Sequence, residues 1–141
     1  MSGNCVFCKI VQGEIPAVKL YEDDEIVAFF DISQVTKGHA LVIPKAHHAD
    51  IFSLPEKTAA TLFAAVPKLA SALKAEFAPA GMNILNNNGE AAGQTVFHYH
   101  LHLLPRYGET GLYGSLWKEA TVGTPDMESL QASAEKIKIN F

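Results

Sequence analysis

His98-Tyr99-His100-Leu101-His102-Leu103-Leu104 is the stretch on which the reading of this chain turns. Three histidines alternate with Tyr99, Leu101 and Leu103. On a helix, steps of two would scatter the histidines around the axis; on a strand they share one face and the apolar residues share the other. Residues 96–104 are therefore predicted as a strand carrying a row of imidazoles. Same-face neighbours on a strand lie roughly 7 Å apart, so His100 is flanked on both sides. A neutral imidazole offers a lone pair for attack, and a protonated one donates to a phosphate oxygen or a leaving group near neutral pH. A metal site or a set of structural histidines would use the same residue type.

Working outward, residues 86–95 (Asn-Asn-Asn-Gly-Glu-Ala-Ala-Gly-Gln-Thr) supply flexible backbone, amide donors and a hydroxyl just before the histidine row. Backbone N–H groups in such loops hold anions without a positive side chain, although Asn-Gly loops are also ordinary turns. Residues 82–86 read as a strand. Before them, a long helix is predicted from Ser53, where Ser53 and Glu56 form a capping-box pattern. Leu62, Phe63, Val66, Leu69, Ala70, Leu73 and Phe77 fall on one face of it. Pro67 is expected to kink this helix, and Pro79 and Gly81 to end it. Residues 40–43 are an apolar strand stopped by Pro44, and residues 19–22 and 26–30 flank Asp23-Asp24-Glu25 as a hairpin. Residues 5–11 read as a short helix or turn. Thr124-Pro125 opens a C-terminal helix with Met127, Leu130, Ala134 and Ile137 as its apolar face. Hairpin, strand, helix, two strands, helix is an α+β order with a five-stranded antiparallel sheet.

The chain has 141 residues, 48% apolar and 18% charged, which fits one domain over residues 1–141 with a real core. The net charge is −4 and no Lys/Arg run occurs, which argues against a nucleic-acid partner. No apolar run approaches the roughly 18 residues of a membrane span, and the N-terminus lacks the pattern of a signal peptide. Cys5 and Cys8 do not make a secreted disulfide framework, so a cytoplasmic protein is expected.

The stretch from His98 to Leu104 resembles the histidine-triad motif, His-φ-His-φ-His-φ-φ with φ apolar. The likeness extends to Asp31-Ile32-Ser33, to Gly38-His39-Ala40-Leu41-Val42-Ile43-Pro44-Lys45 and to Gly93-Gln94-Thr95-Val96. It covers about residues 5–107, leaves residues 108–141 as a C-terminal extension, and is similar to the bacterial Hit proteins of the Hint-like branch. The resemblance implies that His100 attacks the α-phosphorus of a nucleoside phosphoramidate or related nucleotide. A covalent nucleotidyl-histidine would form and water would release a nucleoside monophosphate. It implies that His102, with Gln94 and Thr95, bonds phosphate oxygens or assists the leaving group, and that His39 orients the site. Asn87 belongs to the loop expected at the phosphates. Asp31 would accept hydrogen bonds from the ribose hydroxyls, as carboxylates do in other nucleotide sites. Phe7, Ile10, Ile15, Phe29 and Ile32 match positions that wall the base, which favours purines without strict recognition. Turn formation for Asp31 and core packing for the apolar five are the plain alternatives.

Cys5 and Cys8 form C-x-x-C, and two thiolates need two further ligands for a tetrahedral zinc site. The resemblance supplies His47, with His48 as the adjacent alternative, and His98. Four protein ligands would leave no open position, so the zinc would be structural. The resemblance also implies a homodimer in which two sheets join into one. In this arrangement residues 107–118, with Tyr107, Tyr113 and Trp117, reach toward the partner's site or form an ordinary surface loop. Pro105-Arg106 also occurs in the Fhit-like dinucleoside polyphosphate hydrolases, which keeps that activity open. A nucleotide-binding regulatory module with little turnover is a further alternative.

Overall fold

In the computed structural model, residues 3–108 and 125–139 are described. Over these residues the chain runs α1 (Val6–Val11), β1 (Lys19–Glu22), β2 (Ile26–Phe30), β3 (Ala40–Pro44), α2 (Glu56–Phe77), β4 (Gly81–Leu85), a 3₁₀ turn (Glu90–Ala92), β5 (Leu101–Arg106) and α3 (Met127–Ile139). The strands form one five-stranded sheet in the order β1-β2-β3-β5-β4, every neighbouring pair antiparallel. This is the α+β architecture expected.

Both faces of the sheet are covered, so its central strands read as unbroken apolar runs. Ile26, Ala28 and Phe30 of β2 and Ala40 and Val42 of β3 point into the main core with Leu62, Leu69 and Leu73 of α2 and Leu130, Ala134 and Ile137 of α3. Val27, Phe29, Leu41 and Ile43 point the other way and pack on Phe7, Cys8 and Ile10 of α1. Tyr99, Leu101 and Leu103 belong to the main core, which turns His102 to the α1 face. The register fixes its height: His102 lies opposite Leu41 on β3 and Leu85 on β4.

The histidine strand is shorter than predicted. Only Leu101–Arg106 pairs in the sheet; His98 lies in a bend over residues 96–98 and His100 just before β5, and neither pairs with a strand. The backbone there turns to other partners, Tyr99 N–H donating to the His48 carbonyl at 2.6 Å. The alternation survives, and His98, His100 and His102 are all buried.

The long helix begins later than predicted. Its first residue is Glu56 and its N-cap is Pro55, with no side-chain cap. Ser53 is spent in a turn: the Asp50 carboxylate accepts Phe52 and Ser53 N–H at 3.1 and 3.2 Å, and the Ser53 hydroxyl donates back to the Asp50 carbonyl at 3.2 Å. Such local bonding competes with capping. α2 continues through Pro67, ends with Ala78 in the left-handed region, and buries Ala72 where Phe63 was expected. Phe63 and Met127 are exposed. Pro44 closes β3 as a member of it, and β4 starts one residue early, at Gly81. Residues 109–124, with Tyr113, Trp117 and Thr124, lie outside the described residues. Tyr107 is described, and its hydroxyl donates to the Lys37 carbonyl of the same chain at 2.6 Å.

Candidate active site

The loop from β2 to β3 and the approach to β5 meet on the α1 face of the sheet. Between them lies a cavity of about 580 Å³, within the usual range for small-molecule sites. Phe7, Ile10, Ile15, Phe29 and Ile32 form its apolar wall, and Asp31, Asn87, Thr95, His100 and His102 supply its polar groups.

His100 is held in one tautomer. Its Nδ1–H donates to the His98 carbonyl at 2.7 Å, which leaves the Nε2 lone pair for chemistry. Burial pushes its pKa below the usual histidine value, so the ring is neutral near pH 7. The His98 carbonyl partly opposes that shift. The Phe7 ring stands edge-on to it at 5.1 Å and the His102 ring lies at 4.9 Å.

Behind His102 stands His39, 1% exposed. The Val35 amide approaches His39 Nδ1 at 3.2 Å, the Ser33 backbone also bonds the ring, and His39 Nε2 meets His102 Nδ1 at 2.9 Å, so one proton is shared across this imidazole pair. Burial drives His39 down to about 4 and His102 down to about 3. Asp31 Oδ2 lies 3.6 Å from His39 Nε2. This contact is no ion pair: His39 is neutral, and burial raises the Asp31 pKa. The other carboxylate oxygen, Oδ1, accepts Ser33 N–H at 2.9 Å.

A second cluster lies on the far side of Phe7. Cys5 caps α1, its sulfur accepting the Cys8 amide at 3.3 Å. Cys5 Sγ is 3.3 Å from His98 Nδ1, and Cys8 Sγ is 3.3 Å from His47 Nδ1 and 3.6 Å from His98 Nδ1. The four ligand atoms all lie within 4.8 Å of one another. Tetrahedral zinc with ordinary bond lengths separates sulfur from nitrogen by roughly 3.5 Å, so the donor set and its spacing fit that ion. His98 Nε2–H donates to the Pro44 carbonyl at 2.8 Å, which aims the Nδ1 lone pair at the thiols, the backing that metal-binding histidines usually have. The pKa of His98 is depressed to about 4, chiefly by burial, and that of His47 is lowered for the same reason. The geometry selects His47 over His48, whose carbonyl is turned to Tyr99.

Of the residues expected at the nucleotide site, ten line the cavity and two, His39 and Gln94, are set back from it, while Cys5, Cys8, His47 and His98 form the separate cluster. His39 stands behind His102. Gln94, 3% exposed, spends its amide on the loop: Nε2 donates to the Ala49 and Val96 carbonyls at 2.7 and 3.1 Å, and Oε1 accepts Gly89 N–H at 2.7 Å. Two residues were missed. Asn86 Nδ2 donates to the His100 carbonyl at 3.0 Å, and Gln34 fills the loop between Asp31 and His39. A buried-length amide between two site residues was the only sign of Gln34 in the sequence.

A family model described as the HIT domain matches residues 12–109. The chain is 56% identical over 115 residues to "Protein hit" of Bacillus subtilis, covering 82% of this chain and 79% of that protein. It is 39% identical over 136 residues to the adenosine 5'-monophosphoramidase hnt1 of Schizosaccharomyces pombe, 96% and 99% of the two chains. A crystal structure of a zinc-bound histidine triad family protein from Mycobacterium smegmatis superposes with a TM-score of 0.81 at 37% identity, covering 97% of this chain and 92% of that one. Fold, site and likeness agree that the chain belongs to the HIT domain family.

Proposed function

We propose that this protein is a nucleotide hydrolase that cleaves nucleoside phosphoramidates, or closely related nucleotides, at the α-phosphorus through a nucleotidyl-His100 intermediate. The observation that carries the reading is the 2.7 Å bond from His100 Nδ1–H to the His98 carbonyl, which leaves Nε2 unprotonated at the mouth of a nucleotide-sized cavity. Two relatives carry names of nucleotide-cleaving enzymes, the fission-yeast adenosine 5'-monophosphoramidase and an Arabidopsis adenylylsulfatase, which supports the reading.

In this reading Nε2 attacks the α-phosphorus, the bond from phosphorus to the leaving nitrogen breaks, and that nitrogen takes a proton and departs as the amine. Water then attacks phosphorus, the bond to Nε2 breaks, and a nucleoside monophosphate leaves with the imidazole neutral again. Dividing one displacement into two is what a nucleophilic imidazole offers. His102 faces a phosphate oxygen, His39 orients it from behind through the 2.9 Å ring contact, and Thr95 and Asn87 add donors at the phosphates. Asp31 takes the ribose hydroxyls, and Phe7, Ile10, Ile15, Phe29 and Ile32 hold a purine. Cys5, Cys8, His47 and His98 bind zinc, which ties α1 to the histidine segment and leaves no position open for substrate. Two copies of the chain pair through the exposed edge of β4.

Cleavage of dinucleoside polyphosphates is less well supported. Arg106, the residue that suggested it, donates to Asn83 Oδ1 at 2.6 Å across the β4–β5 pair. The test compares kcat/KM for adenosine 5'-phosphoramidate and for diadenosine polyphosphates, with capture of radiolabelled nucleotide on the protein. Phosphoramidate should win, the label should be covalent, and His100→Ala should remove it and lower kcat roughly a thousandfold or more. A loss below tenfold, or tight nucleotide binding without covalent label, overturns the assignment.

A further inference from the structure

The loop from Asp31 to His39 delivers one residue to the cavity and another to the layer behind it. Its shape depends on a side chain that lines neither. Gln34 is 1% exposed. Its Nε2 donates to the Asp31 carbonyl and to the His39 carbonyl, the latter at 2.8 Å. Its Oε1 accepts Gly38 N–H at 2.7 Å and His39 N–H at 3.1 Å. The amide orientation is forced, because two partners are backbone amides that only donate and two are carbonyls that only accept. One side chain therefore holds both ends of the loop, and the Asp31 N–H adds a 3.0 Å bond to the His39 carbonyl.

Few side chains can do this. Glutamate has no N–H and would set a buried carboxylate against two carbonyls. Methionine has the length but removes four hydrogen bonds from the loop: the His39 N–H and carbonyl keep Thr36 and Asp31 as partners, while the Gly38 N–H and the Asp31 carbonyl lose their bond to the side chain, which loosens the loop's geometry. Asparagine is one methylene short. The amide of Gln34 also bears directly on chemistry. The His39 backbone it grips carries the ring that meets His102 Nδ1 at 2.9 Å, and the Asp31 backbone it grips carries the carboxylate at the cavity.

We infer that Gln34 is a positioning residue of the nucleotide site, fixing the His39–His102 imidazole contact and the Asp31 carboxylate together while touching no substrate. This rests on the reading of Asp31 and His102 as substrate-facing groups under Proposed function. It implies that phosphate and ribose recognition are coupled through one buried amide, so a single change there degrades both.

The experiment uses the full-length, metal-replete protein and its Gln34→Met and Gln34→Glu variants. Long-range ¹⁵N–¹H imidazole spectra report the His39 and His102 tautomers, thermal melts report folding, and kcat and KM are measured with adenosine 5'-phosphoramidate and its 2'-deoxy analogue. In folded Gln34→Met, His39 and His102 should each depart from the tautomer they hold in the wild type. The preference for the ribonucleotide should shrink, and kcat/KM should fall roughly tenfold or more. Gln34→Glu should show the same losses at pH 7 and regain part of them on acidification, because a protonated carboxyl restores one donor. If Gln34→Met does not fold, Gln34→Glu carries the same test. A folded variant with wild-type tautomers and an unchanged ribose preference overturns the inference and leaves Gln34 as a loop staple. A wild-type protein that turns over neither substrate sinks the nucleotide reading instead, and the spectra then still decide whether Gln34 sets the two imidazoles.

Discussion

Phe7 lies edge-on against His100, with ring centroids 5.1 Å apart and planes 79° from each other. Phe7 sits between Cys5 and Cys8 on α1, and the same ring touches His98 at 5.8 Å. The proposed metal ligands and the proposed nucleophile are thus joined twice, through this ring and through the His98 carbonyl. The helix that brings the ring is only six residues long, too short to be stable without an anchor.

Zinc removal is the first prediction that follows from this arrangement. Protein purified without chelator or affinity tag should carry one zinc per chain by metal analysis. Cys8→Ser should lose it and melt at a clearly lower temperature, because metal binding is also folding energy. Activity per folded molecule should fall less than tenfold, since the His98 carbonyl, not its ring, holds His100. Freshly prepared, reduced protein without zinc would refute the site.

Removing the Asp31 carboxylate should erase sugar discrimination. A hydrogen bond to a charged group contributes about 1.5–3 kcal/mol. Asp31→Asn should therefore lower kcat/KM for a ribonucleotide roughly tenfold or more, and by a smaller factor for the 2'-deoxy analogue, which keeps only the 3'-hydroxyl. The Ser33 N–H bond survives in this variant, because the amide oxygen of asparagine can still accept it. A ribose preference equal to that of the wild type would show that Asp31 only shapes the turn.

Acid should destabilise the fold through the buried imidazoles. His39 titrates at about 4 and His102 at about 3 when folded, against about 6.5 in an unfolded chain. Below pH 6.5 the unfolded chain binds protons that the folded chain refuses, so stability rises with pH across this window and is lost as pH falls toward 4 and then 3. Asp31 has the opposite sign, since its raised pKa makes the folded state hold a proton longer. Urea midpoints measured from pH 7 to 5 should decline in the wild type. They should decline less steeply in His102→Asn, a comparison that separates this effect from release of metal. Equal slopes would contradict the assignment.

The sequence carried the site further than it carried the boundaries of the fold. Alternation singled out His98, His100 and His102, all of them buried, although the strand was overextended: His98 lies in a bend and only His102 is in the ladder. Ser53 misled because a capping box and an Asx turn use the same residues, and Asp50 was nearer. Gln34 and Asn86 were invisible as site residues: what they do depends on backbone carbonyls of residues 39 and 100, and no side-chain pattern records where a carbonyl points. Gly38 belongs to the same category. At φ +89° in the Gln34 loop it leaves no room for a side chain, since a Cβ there would lie 2.7 Å from the Phe77 ring. The Phe77 contact comes from an element that begins 18 residues later, at Glu56.

The dimer is the last prediction, and it starts from an edge. β4 closes the sheet with β5 on one side and no strand on the other among the described residues. An open edge of this kind invites pairing with another chain, and two-fold dimers are the commonest closed solution. β4 carries none of the devices that block pairing: Gly81-Met82-Asn83-Ile84-Leu85 contains no charge and no proline. Ile84 is 51% exposed and Phe63 on α2 is 45% exposed, large apolar side chains of the kind a partner would cover. Light scattering coupled to size exclusion should give twice the chain mass at micromolar concentration. Ile84→Asp should weaken the dimer by at least about 2 kcal/mol, roughly thirtyfold in Kd, if Ile84 is an anchor. The fold should survive this change, because Ile84 contributes little to the core of its own chain. A wild-type monomer at micromolar concentration would rule out the pairing. A dimer indifferent to Ile84→Asp would move the interface away from β4.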